Sequence, residues 1–230
     1  MNEVEVTPVI SAARCVCSTL GYQHPAWNAG YYPEDCPEEW RLAYFMNDFQ
    51  AVYLPAENWS RTPGQLEAIA EELEDERFEL VLEWPDQQHY SRLQLFLDSL
   101  SSVNGHISCI VLDMDALPAA VLGDICDALN HRFPLAFRSR SQNTRQRSFA
   151  RQQAAGFVWT PAEASALVPG GAYQVVRLPC LELREIKPVI QQLRPLLERG
   201  IRAGVFLDTH ARAPQRALEV RAMMELMGLA

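Results

Sequence analysis

Short apolar runs alternate with helix-length amphipathic segments along the whole chain. Runs near 14–19, 50–55, 78–84, 107–112, 133–138, 156–159, 173–178 and 203–208 predict eight strands. Arg14-Cys-Val-Cys17, Phe78-Glu-Leu-Val-Leu82 and Ile107-Ser-Cys-Ile-Val-Leu112 are nearly continuous in apolar character, as parallel strands covered on both faces should be. Between them the pattern predicts helices near 38–48, 64–76, 88–102, 116–130, 143–154, 161–166, 182–199 and 213–228. Thr62-Pro63 supplies a start signal for the second helix, and Gly200 and Gly228 stand where C-terminal caps belong.

Strand–helix units repeated in order, with no linker or low-complexity tract, predict an α/β chain and a TIM-type (β/α)8 barrel or close variant. An open doubly wound sheet is the alternative. The expected organisation is a single domain over 1–230, with an N-terminal extension at 1–13 and an aromatic loop at 21–37 over the barrel mouth. At 230 residues the chain is short beside the ~250 typical of such barrels, so few insertions fit beyond that loop.

Composition narrows the function. A net charge of −9 argues against nucleic acid as a partner and against attraction to anionic membranes. No apolar run approaches the ~18 residues of a membrane span. The acidic start Met1-Asn-Glu-Val-Glu5 does not read as an export signal, and six cysteines without a Cys-x-x-Cys pair read as reduced thiols, so a cytoplasmic location is expected. Lys187 is the sole lysine among twenty basic residues and precedes a proline inside a helical segment. Schiff-base chemistry and Walker-type phosphate binding therefore lack their lysine, and no Gly-x-Gly-x-x-Gly, Gly-x-Ser-x-Gly or His-Glu-x-x-His pattern occurs.

The loop Gly21-Tyr-Gln-His24-Pro-Ala-Trp27-Asn-Ala-Gly30-Tyr-Tyr32-Pro33 resembles the N-terminal signature of the domain of unknown function 72 (DUF72) family, also called YecE-like, which reads Gly-Trp-Ser-Tyr-x-x-Trp-x-Gly-x-Phe-Tyr-Pro. Gly21, Trp27, Tyr32 and Pro33 match it, and the likeness continues through Trp40-Arg-Leu-Ala-Tyr44 and Phe49-Gln-Ala-Val52. The resemblance implies the barrel fold. It also implies departures. Tyr53-Leu-Pro-Ala-Glu57-Asn-Trp59 stands for the family's Glu-x-Asn-Ser-Thr-Phe-Tyr, and Glu83 for a lysine. Ala136-Phe-Arg138 stands for Glu-x-Arg, Arg177-Leu-Pro179 for Arg-x-His, and Asp208-Thr209 for Asn-Asn. The chain looks like a diverged member with a rebuilt or retired site.

A barrel would gather the strand C-termini at one mouth. That set is Thr19, Glu83, Asp113, Arg138, Thr160, Arg177 and Asp208, with His24, Asp115 and His210 on nearby loops. Arg138 and Arg177 could clamp a small anionic ligand bearing a carboxylate or phosphate, with Trp27, Tyr32 and His24 as its wall. Equally, the two arginines could pair with Glu83, Asp113 or Asp208 as a structural network. Glu83 and Asp113 are candidates for an acid–base pair, and Asp208 and His210 for a divalent metal, though no cofactor is predicted outright. Five arginines within Arg138–Arg151 read either as a docking patch or as a solvated face. Enzyme and noncatalytic scaffold both remain open, as does the oligomeric state. The readings separate on structure: a small-molecule site needs an open cavity of a few hundred Å³, whereas a scaffold or protein-partner module would have the mouth filled by Tyr53, Trp59 or Trp84.

Overall fold

The structure, a computed structural model, describes residues 14–28, 30–61, 64–73, 77–85, 93–129, 132–161 and 171–230. The expected extension at 1–13, the helix start at Thr62-Pro63, all but the first residue of the helix over 161–166 and the helix ends at 74–76 and 88–92 lie outside those residues. Eight strands run in chain order: β1 Cys15–Thr19, β2 Ala51–Leu54, β3 Glu79–Glu83, β4 Ile107–Asp113, β5 Leu135–Arg138, β6 Gly156–Phe157, β7 Tyr173–Leu178 and β8 Arg202–Leu207. The helices are α1 Arg41–Asp48, α2 Gln65–Leu73, α3 Leu93–Leu100, α4 Ala119–Leu129, α5 Thr144–Gln152, α6 Leu183–Gln191, α7 Arg194–Leu197 and α8 Ala213–Leu226.

Every strand pairing is parallel, in two sheets of order β2-β3-β4-β5-β6 and β1-β8-β7. The edges of the two sheets meet at single parallel bridges, Leu20 with Tyr53 and Trp159 with Val176. Backbone hydrogen bonds support both junctions: Gly21 N–H to Tyr53 O at 2.7 Å, Trp159 N–H to Val175 O at 2.9 Å and Arg177 N–H to Trp159 O at 2.9 Å.

Alternation within the strands sorts the interior into two cores. One holds Val16, Ala51, Tyr53, Val81, Cys109, Val111, Ala136, Val158, Tyr173, Val175 and Phe206, contributed by all the long strands and by the residue just past β6. The other, larger core lies between the opposite strand faces and the helices, where Leu42, Ile69, Phe96, Ile125, Ile190 and Val220 are buried.

Two expected helices are subdivided. The 38–48 segment opens as a 3-10 turn, Glu38–Trp40, before α1. The 182–199 segment breaks between α6 and α7 because Pro195, in the first turn of α7, has no N–H for the carbonyl of Gln191 and crowds it sterically. Gly200 and Gly228 act as the expected caps, with φ of 82° and 66°.

The expected aromatic loop is a packed wall. His24 Nδ1 accepts the Ala26 N–H at 3.2 Å and caps a turn at Pro25–Trp27. Trp27 is fully buried and its indole N–H donates to His210 O at 2.8 Å. The Tyr32 hydroxyl donates to Tyr22 O. Tyr31 meets Tyr44, Phe45 and Phe49 edge-on or tilted at 5.6–6.3 Å, which joins the loop to α1.

Two predictions follow from this packing. A Cβ on Gly204 would lie 2.5 Å from Phe206 Cε2 and 2.6 Å from the Tyr173 hydroxyl, both buried in the inner core. Gly204→Ala should therefore destabilise the protein by about 1–3 kcal/mol in urea unfolding; an unchanged midpoint would mean the inner core can yield. Burial also pushes the Cys17 thiol from 9.0 up to about 12, and the Tyr22 phenol from 10.0 up to about 12 with help from Glu72. Both groups are neutral when protonated. Their contribution is complete below about pH 9 and is lost as pH rises toward 12, so unfolding midpoints should fall through that window and Cys17→Ser should flatten the fall.

Candidate functional site

The register of the strands decides which charged ends meet. Asp113 and Arg138 are direct partners across β4 and β5. Glu83 lies opposite Val111, two residues before Asp113 and on the same face, after a register shift at Leu80/Val81. Arg138 thus reaches both acids. Its Nη1 is 2.6 Å from Glu83 Oε1, and its Nη2 and Nε are 2.7 and 3.0 Å from Asp113 Oδ2. Asp113 Oδ1 in turn accepts the N–H groups of Asp115 and Ala116 at 2.8 and 3.2 Å.

Tyr53 carries the network across the sheet junction. Its hydroxyl donates to Glu83 Oε2 at 3.2 Å, and the Arg177 guanidinium lies 5.4 Å above its ring. Burial first, then the charge of Glu83, pushes the Tyr53 phenol far above its ordinary range, so it stays a donor. Arg177 pairs with Asp208, Nη2 at 3.1 Å and Nε at 3.4 Å from Oδ1. For Arg138, burial opposes the charge, but Glu83, Tyr53 and Asp113 outweigh it and hold the guanidinium above its usual value. It is permanently charged.

Two cavities open at this end of the strands. The larger, about 420 Å³, is lined by Asp113, Asp115, Arg138, Arg140, Thr160 and Arg177 together with Asp208 and two prolines. The smaller, about 220 Å³, shares Asp113 and Arg138 and runs toward Arg61, Trp84 and Leu117. Tyr53 and Trp59 line neither cavity, although both are buried close by; Trp59 donates its indole N–H to Glu83 O at 3.1 Å. Trp84 forms one wall of the smaller cavity and leaves it open.

The structure therefore brings together Glu83, Asp113, Arg138, Arg177 and Asp208. It leaves Trp27, Tyr32 and His24 outside both cavities, packed as described above. His210 also stands apart: its Nδ1 accepts the Arg212 N–H at 3.1 Å and its carbonyl receives Trp27. Among the described residues no group of three or more His, Cys, Asp or Glu is arranged to hold a metal ion. Among them, too, no helix is long and apolar enough to cross a membrane.

One residue of interest escaped the sequence reading. Arg140 lines the larger cavity; its backbone N–H donates to Asp115 Oδ2 at 2.8 Å, while among the described residues no carboxylate pairs with its guanidinium. Asp115 is already served by neutral donors, Ser139 Oγ at 3.1 Å and Gln146 Nε2 at 3.3 Å. In the sequence Arg140 was one of five arginines in a run, and nothing in the run's spacing sets it apart. Thr160, the neighbouring lining residue, has a buried hydroxyl that finds no hydrogen-bond partner among the described residues.

No protein-family model matches the chain, and no curated protein is significantly similar to it. Solved structures are similar. A DUF72 family protein of Thermotoga maritima MSB8 superposes with a TM-score of 0.70 at 15% identity, over 92% of this chain and 99% of that one. A DUF72 family protein of Enterococcus faecalis V583 gives a TM-score of 0.65 at 11% identity, over 95% and 99%. The chain has the fold of DUF72 proteins. The family whose signature the first loop resembles is thus the family its backbone matches. At such identity the DUF72 likeness speaks for the fold and not for the site, whose chemistry rests on the residues present here.

Arg138 gives the site its first test. Arg138→Ala would leave Glu83 and Asp113 facing each other without their shared cation. The expected loss is about 2–3 kcal/mol at pH 7, less than for a fully buried pair because the side chain is 29% exposed. Urea unfolding of the variant beside wild type measures the loss, and an unchanged midpoint would show that the bridge carries no net stability.

Proposed function

We propose that the chain is a diverged DUF72-type protein whose eight strands close as a single (β/α)8 barrel, and that it binds a small anionic molecule at the C-terminal end of that barrel. Closure is supported by the two bridges between sheet edges and by the inner core drawn from all around the ring. The observation that carries the binding reading is the open cavity of about 420 Å³ with Arg177 on its lining beside Arg140, which has no carboxylate partner among the described residues. A cavity of that size suits a small ligand. The anionic group would sit against these two arginines, and the rest of the molecule would extend past Arg138 toward Trp84 and Leu117.

Arg138 itself is assigned to structure. Two carboxylates already saturate it, and releasing it to a ligand would leave both unpaired. For the same reason Glu83 and Asp113 are assigned to holding Arg138 rather than to moving protons. Asp208 and His210 are assigned to Arg177 and to the Arg212 turn rather than to a metal. The scaffold or protein-partner reading has less behind it. The exposed large apolar residues among those described, Trp40, Leu95 and Leu226, lie on three separate elements. Six free cysteines fit a reducing, cytoplasmic location.

A thermal-shift panel of phosphates, carboxylates, sugars and divalent metals tests the reading. A ligand present at a hundred times its dissociation constant adds about 2.7 kcal/mol of stability. Anions should stabilise the wild type, and Arg177→Ala and Arg140→Ala should each abolish most of the shift. Anion-dependent stabilisation that survives in both variants would sink the proposal, as would a response confined to sugars or metals.

A further inference from the structure

Arg177 and Arg138 both carry carboxylate partners, but the partners are held very differently. Asp113 is fixed from behind by two backbone N–H groups, and Glu83 by the Tyr53 hydroxyl. Asp208 has neither kind of anchor. Its side chain is 44% exposed, and among the described residues its carboxylate meets only Arg177. Arg177 is the fixed member of that pair, 19% exposed and seated over the Tyr53 ring. The acid can swing into solvent while the guanidinium stays in place.

Resting on the anion-site reading above, we propose that Asp208 is a built-in competitor that occupies the ligand face of Arg177, and that the site thereby selects doubly charged anions such as phosphate monoesters over monocarboxylates. A carboxylate on Arg177 stands where the ligand's own anionic oxygens would bind, with the same bidentate geometry available to either. A monoanion that displaces Asp208 exchanges one ion pair for another of the same kind and gains little. A dianion makes that exchange and has a second charge left for Arg140, which lines the same cavity and has no carboxylate partner among the described residues. Thr160 lines the same cavity. Monocarboxylates are thus held off by one residue.

Calorimetric titration of the full chain at pH 8 with inorganic phosphate and, separately, with acetate decides the point. Wild type should bind phosphate and not acetate at matched concentrations. Asp208→Asn keeps the shape of the side chain and removes its charge; it should tighten phosphate about two- to fivefold, the size of one partly exposed ion pair, and should open the site to acetate. Asp208→Ala, without even the amide, should behave alike, and circular dichroism establishes that both variants are folded. Phosphate binding that Arg177→Ala abolishes but both Asp208 variants leave unchanged would keep the site and overturn the competitor. Acetate binding to wild type as tightly as phosphate overturns the selectivity. If neither wild type nor the Asp208 variants bind phosphate, the competitor and the anion site fall together.

Discussion

A guanidinium held in a half-buried place must be matched by charge, and Arg138 is matched twice. Its two acids come from two other strands, so a single cation ties the ends of β3, β4 and β5 together. Coulombic attraction at these distances is several-fold stronger near a protein interior than in water, but so is the cost of leaving any member alone. The three residues therefore behave as a unit. None can be lent to a ligand or to a reaction without exposing the other two, and this constraint sets Glu83, Asp113 and Arg138 apart from the other charged strand ends as the part that holds the fold.

Tyr53 extends the constraint to the second sheet. It stands on β2, donates to Glu83 and lies under Arg177 of β7, so the position of the second arginine depends on a phenol that the first arginine's partner has oriented. The loop after β1 enters the same arrangement from outside. By burying Trp27 against the carbonyl of His210, it fixes the segment that follows β8, which begins with Asp208. A loop rich in aromatic residues can serve a site from a distance, by positioning the chain that carries the contact.

Much of this fold was legible in the sequence, and the reasons are local. Continuous apolar runs bounded by polar segments mark buried parallel strands, and β1, β4, β7 and β8 fall within a residue or so of where the pattern puts them. The break after α6 was missed because helical periodicity carries on through Pro195 even though its missing N–H does not. The members of the charged ring were also legible, since strand ends share one side of a parallel sheet. Their pairing was only one of two open readings. Which acid meets Arg138 depends on cross-strand register and on the shift at Leu80/Val81, and neither leaves a mark in the spacing of residues. Trp27 and Tyr32 were read as a ligand wall because they sit in a turn-rich loop. Tyr32 instead packs on α1 through Tyr44 and Arg41, and Trp27 is tied to the segment after β8 through the His210 carbonyl.

Set against the DUF72 resemblance, the charged ring looks rewired with its central cation kept. Glu83 stands where the family resemblance implies a lysine, and Ala136 where it implies a glutamate two residues before Arg138. The resemblance thus implies the acid on β5 where this chain has it on β3, and Arg138 has its carboxylate either way. Such an exchange is cheap for the fold, because what stability requires is a counter-charge within reach and not a particular strand to carry it. It is costly for chemistry, because a lysine's proton donors and a glutamate's acceptors have left their places. A counter-charge within reach thus satisfies the fold while the groups offered at the strand ends differ, which is compatible with a backbone shared over 92% of the chain at 15% identity.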